Sequence, residues 1–218
     1  MMIKKYLSEF MGTFILVFCG TGAAIVNKEM NGVISHAGVA ITFGLVVMVI
    51  IYTLGSISGA HINPAVTIAF TIARTFSVRQ VFPYIVSQLT GAISASLLLI
   101  FLFPLSSTLG ATLPGRVMQS FVVEFFLTFF LMFVVIRAST GSKEKGIHAA
   151  VIIGAMVLVE AMFAGPVSGA SMNPARSFGP AIASGHLEHL WIYIVAPVAG
   201  AAAAVPVSNF FPVTNDVA

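Results

Sequence analysis

Ser58-Gly59-Ala60-His61-Ile62-Asn63-Pro64-Ala65 returns 110 residues later as Ser168-Gly169-Ala170-Ser171-Met172-Asn173-Pro174-Ala175. Six of the eight positions are identical. Each copy is a short polar interruption in a very apolar chain. Asn is a favoured helix N-cap and Pro a favoured first helical residue, so each copy reads as a helix start. Two ordinary helix starts would account for Asn-Pro, but not for one pattern duplicated inside apolar surroundings. Non-helical backbone at membrane depth is tolerated only when buried in protein or lining a wet cavity. The duplication therefore points to a membrane channel of two related halves, with one half-helix from each meeting in the middle.

Composition supports the bilayer as solvent. Of the 218 residues 58% are hydrophobic and 8% charged, against about 25% charged in a soluble domain. A net charge of +3 is too small and dispersed for a nucleic-acid footprint. The single cysteine, Cys19, excludes an intramolecular disulfide and reads as a small buried side chain. No Cys/His cluster suggests a metal, and no cofactor is expected. An intramembrane enzyme would need a nucleophile–base pair or metal ligands, and none lies near the boxes.

A helix crossing the hydrocarbon needs about 20 largely apolar residues. Six stretches qualify, at roughly 6–26, 34–56, 81–105, 117–137, 148–165 and 190–211. Two segments starting at Asn-Pro, about 63–74 and 173–184, are too short to span. The expected fold is all-α: six transmembrane helices plus two re-entrant half-helices in a single channel domain, 1–218. Three spans per repeat is odd, so the second repeat (116–218) must insert upside down relative to the first (1–105). Gly12, Gly44, Gly91 and Gly200 are candidate helix crossings.

Lys4, Lys5, Arg74, Arg79, Arg137, Lys143 and Lys145 fall on one side of this arrangement, and Lys28, Arg116 and Arg176 on the other. Seven against three places both termini in the cytoplasm. Lys4 and Lys5 before an apolar run resemble a signal peptide. However, Glu9-Phe10-Met11-Gly12-Thr13-Phe14 resembles Glu124-Phe125-Phe126-Leu127-Thr128-Phe129, and a segment repeated in the interior is expected to be retained. The tail from Val213 to Ala218 carries no recognisable regulatory motif.

Two Asn-Pro-Ala boxes, the following Arg176 and a Glu in the first and fourth spans make the chain resemble the aquaporin (major intrinsic protein) family over essentially its whole length. The resemblance implies a pore centred on Asn63, Pro64, Ala65, Asn173, Pro174 and Ala175. The half-helix dipoles and the two Asn amides would set a positive barrier to protons and cations while donating to a permeating oxygen. Gly59, Ala60, His61 and Ile62, with Gly169, Ala170, Ser171 and Met172, would form a ladder of carbonyl acceptors. Glu9 and Glu124 would brace the loops by accepting backbone N–H bonds. Glu160 has no counterpart in the first half; support of the loop behind Ala161 and contact with a helix neighbour both stay open. By the same resemblance the protein is a homotetramer in the cell membrane, with one pore per subunit.

The outer ring implied by the resemblance is Phe43, Ala161, Ala170 and Arg176. Arg176 follows Asn173 by three residues on one face, while Val66 stands at the matching place in the first half. Water-selective relatives carry His where Ala161 stands, so two alanines imply a wider ring. Tyr193-Ile194 fits the nodulin-like branch, whereas Ser177 and Ala181 resemble the water-type pattern. The expected solutes are water and small uncharged molecules such as glycerol, with neutral metalloid hydroxides included. A strictly water-selective channel is the alternative, and a secondary transporter with inverted repeats a more distant one. His61 should offer its backbone carbonyl; His36, His148, His186 and His189 read as interfacial. Trp191 and Tyr193 suit an aromatic belt, and Phe43 is the one Phe assigned to the pore.

Overall fold

The computed structural model describes residues 2–139 and 145–211. Among them are eight helices: α1 (Met2–Glu29), α2 (Ser35–Ser58), α3 (Pro64–Ile72), α4 (Val78–Leu102), α5 (Val117–Ser139), α6 (Lys145–Ser168), α7 (Pro174–Ser184) and α8 (Ile192–Phe210). Six are long and apolar enough to cross a membrane. The other two, α3 and α7, have nine and eleven residues. At about 1.5 Å per residue each reaches roughly half of a 30 Å hydrocarbon layer. Lys143 and the tail from Val213 to Ala218 lie outside the described residues.

Helix ends differ from expectation where proline intervenes. Helix α4, expected to reach 105, stops at Leu102, because Pro104 disfavours helical backbone at Phe103. Helix α6 runs through Pro166 to Ser168, past the expected end at 165.

Helices α1 and α4 pack together in the first half, as do α5 and α8 in the second. Helices α2 and α6 join the halves, and each half-helix is embedded in the other half, α3 against α8 and α7 against α4. Lipid supplies no hydrophobic force between helices, so close backbone approach must hold them. A Cβ at Gly91 would collide with the Phe10 carbonyl, and one at Gly200 with the Phe125 carbonyl. At the α2–α6 crossing a Cβ on Gly44 would stand 2.7 Å from the Gly154 carbonyl oxygen. Gly12 fits against Ile62. Cys19 is half-buried rather than buried.

Candidate functional site

The two loops between α2 and α3 and between α6 and α7 are built alike. Gly59, Ala60 and Ile62 have φ of 90°, 46° and 44°; Gly169, Ala170 and Met172 have 88°, 41° and 53°. Left-handed backbone costs a non-glycine residue roughly 1–2 kcal/mol, so something must hold four such residues in place. Glu9 and Glu124 do so. Glu9 Oε1 accepts from His61 N (2.9 Å) and Ser58 Oγ (2.7 Å), and Oε2 from Ile62 N (2.7 Å). Glu124 Oε1 accepts from Ser171 N (2.9 Å) and Ser168 Oγ (2.8 Å), and Oε2 from Met172 N (2.8 Å). Both carboxylates are fully buried, and each bond gives an N–H or O–H of a buried residue its partner.

At the loop ends Asn63 and Asn173 cap α3 and α7. Asn63 Oδ1 accepts from Ala65 N at 2.9 Å, and Asn173 Oδ1 from Ala175 N at 3.0 Å. The amides then cross between halves. Asn63 Nδ2 donates to Met172 O and Asn173 Nδ2 to Ile62 O, both at 2.8 Å. A primary amide has two N–H hydrogens, so each keeps a second one at the wall of a central cavity. The Ile62 and Met172 carbonyls, assigned to the ladder, each already accept one bond.

That cavity measures about 110 Å³, room for several waters at roughly 30 Å³ each. Its wall includes Asn63, Asn173, Val66, Gly59, Ala60, His61, Ile62, Ala170, Ser171 and Met172. Gly169 lies in the wall of a second cavity of about 250 Å³, with Lys28, His36 and Thr108. Four residues line both: Phe43, Ala161, Ala170 and Arg176. They are the wall that the two spaces share. The Arg176 guanidinium carbon lies 5.0 Å from the Phe43 ring centroid, and Nη1 donates to Gly110 O at 2.9 Å. Its buried Nε has no protein partner. Pro64, Ala65, Pro174 and Ala175 are buried behind the walls as the first turns of α3 and α7.

Several side chains take other places than the sequence suggested. Tyr193 is 1% exposed, not part of an interfacial belt; its hydroxyl donates to Ser168 O at 2.6 Å. Tyr84 does the same to Ser58 O at 2.8 Å. The signal was present: these tyrosines are 109 residues apart, nearly the spacing of the boxes. Phe70 joins Phe43 in the cavity wall. The His61 ring sits among Phe70, Phe76 and Tyr84 with Nδ1 3.1 Å from Thr67 Oγ1. Gln88 Nε2 donates to Glu9 Oε2 at 2.8 Å, a contact without warning in the sequence because Pro197 stands at the matching place. Glu160 is buried, and neither carboxylate oxygen has a partner, so it makes no hydrogen bond to the loop. His36, exposed near the start of α2, is also tied to α6: Nε2 donates to Met162 O at 2.7 Å.

A bundle with six helices long and apolar enough to cross a membrane, two amide donors at a central cavity and one arginine in the wall shared with the cavity beside it has the architecture of a transmembrane channel. The family model described as Major intrinsic protein matches residues 1–207. The chain is 46% identical over 215 residues to Aquaporin NIP1-1 of Oryza sativa subsp. japonica, covering 98% of this chain and 76% of that protein. It is 45% identical to Nodulin-26 of Glycine max, covering 98% of this chain and 79% of that one. The aquaglyceroporin of Plasmodium falciparum has a similar structure, with a TM-score of 0.84 at 22% identity, over 96% of this chain and 100% of that one. The chain belongs to the major intrinsic protein family. It is a multi-pass membrane channel for water and small solutes and not an enzyme.

Proposed function

We propose that the chain conducts water, glycerol and similarly small uncharged hydroxyl compounds, neutral metalloid hydroxides included, and excludes protons and ions. Phe43, Ala161, Ala170 and Arg176 form its size filter. The observation that carries this reading is that these four residues alone line both cavities among the described residues. Every solute passing from one cavity to the other meets them. The side chains of Ala161 and Ala170 are only methyl groups, while the guanidinium of Arg176 would donate to a solute hydroxyl. The similarity to Aquaporin NIP1-1 over nearly the whole chain supports a pore of this kind.

At the waist, the second N–H of Asn63 and of Asn173 would donate to one passing oxygen. An oxygen that accepts both has no lone pair left for its neighbour in the file, which interrupts proton hopping. The N-termini of α3 and α7 add partial positive charge, roughly half an elementary charge each, and repel cations. The segments 1–105 and 116–218 act as inverted repeats, with both termini cytoplasmic in the cell membrane and four chains assembling as a homotetramer. The lysine and arginine distribution supports that orientation.

Stopped-flow light scattering on proteoliposomes tests the reading. Rapid re-swelling in glycerol but not in sorbitol is expected. The second reading, a strictly water-selective pore, is favoured by one observation, the guanidinium of Arg176 lying over the Phe43 ring. Fast water flux without glycerol re-swelling would establish it instead.

A further inference from the structure

We infer that His36 is a positioning residue of the filter: by bonding the carbonyl of Met162, it fixes the width of the ring at Ala161. The inference rests on the assignment of that ring as the filter. Pro166 lies inside α6 and has no N–H to give the carbonyl four residues earlier. That carbonyl is Met162 O, one residue past Ala161. The His36 Nε2 N–H fills the vacancy at 2.7 Å. Glycine at 165 makes the space, since a Cβ there would stand 2.5 Å from His36 Cε1. His36, Val39, Ala40 and Phe43 share one face of α2 and line the second cavity. The same helix face thus supplies one filter residue, Phe43, and the clamp on another. Without the clamp, Met162 O, one residue past Ala161, loses its side-chain partner, and the ring loses the tie between α2 and α6 that lies nearest to it, although the helices stay packed at Gly44 and Gly154.

The test is the ratio of xylitol to glycerol permeability in proteoliposomes, with water permeability measured alongside to show that each variant is folded. His36→Phe keeps a ring and removes the donor. His36→Gln keeps an amide donor at similar reach and removes the ring. Gly165→Ala crowds the imidazole from behind. Loss of one hydrogen bond is expected to raise the ratio about threefold to tenfold in H36F and G165A. In H36Q the ratio should stay within about twofold of the parent. If H36F matches the parent, or if H36F and H36Q shift alike, the donor is not what sets the ring and the inference is overturned. Ala161→Trp, run in the same assay, separates the two levels. If A161W leaves glycerol flux intact, the filter assignment itself fails. If A161W blocks glycerol while H36F has no effect, only the role of His36 fails.

Discussion

Replacing Ala161 by His adds an imidazole to the proposed filter, whose present side chains are two methyl groups, Phe43 and Arg176. Glycerol flux through A161H should fall at least roughly tenfold, as expected when a fitted pocket loses a few atoms of room. Water flux should change far less. The two osmotic phases of one light-scattering trace read both numbers. The buried acids differ in kind. Glu124 collects two backbone N–H bonds and a hydroxyl, and an amide in its place must turn N–H toward N–H at one oxygen position. An unmade buried bond costs about 1–3 kcal/mol. Glu124→Gln should therefore lower the thermal midpoint of the purified protein by several degrees. Glu160→Gln removes no hydrogen bond, because neither oxygen of Glu160 has a partner, and its midpoint should stay closer to the parent's. Equal drops would mean that Glu160 carries a contact the geometry does not contain.

At the scale of elements, glycine serves two separate purposes, and substitution tells them apart. Gly200 lets α8 touch the backbone of α5 at Phe125, whereas a Cβ at Gly22 on α1 meets only a Leu99 methyl at 3.5 Å. G200A should reduce the yield of monodisperse protein sharply. G22A should be neutral or stabilising, since alanine in a helix gains about 0.5–1 kcal/mol over glycine. Size-exclusion profiles after identical solubilisation compare them. Gly200 was readable as a crossing because helix contacts in lipid demand small residues. The six spans and two half-helices were readable for a similar reason: segment length and the Asn-Pro start are local properties. Tyr193 was legible only through its near-box spacing from Tyr84, because on its own an aromatic residue at the start of a span looks interfacial until its hydroxyl is seen bonded to Ser168 O. His36 was further out of reach. Its partner is a backbone carbonyl 126 residues away, freed by a proline, and no side-chain pattern announces it.

For the whole molecule, the arrangement distinguishes a conduit from a carrier. A carrier must offer its site to one side at a time, through two packings of nearly equal energy. Here the waist is fixed from both halves at once. Asn63 bonds the second loop, Asn173 bonds the first, and α3 and α7 are each wedged into the opposite half. Rocking one half against the other would break both amide bonds and the glycine crossing between α2 and α6. Among the described residues none in the cavity wall is a carboxylate that could couple an ion, since Glu9 and Glu124 point their oxygens into the loop backbone. Glycerol flux should thus rise in proportion to its gradient without saturating. Sodium or proton gradients imposed across the vesicle should leave it unchanged. A pH-sensitive dye trapped inside should record no proton entry beyond that of empty liposomes, even while water passes quickly. Asn173→Asp replaces the donor to Ile62 O with an oxygen and sets a negative charge where two helix N-termini converge. Of the folded variants, it is the one expected to admit protons. A carrier would instead show saturation and gradient dependence with Asn173 intact, and the rigid waist would then have to open in a way these bonds forbid.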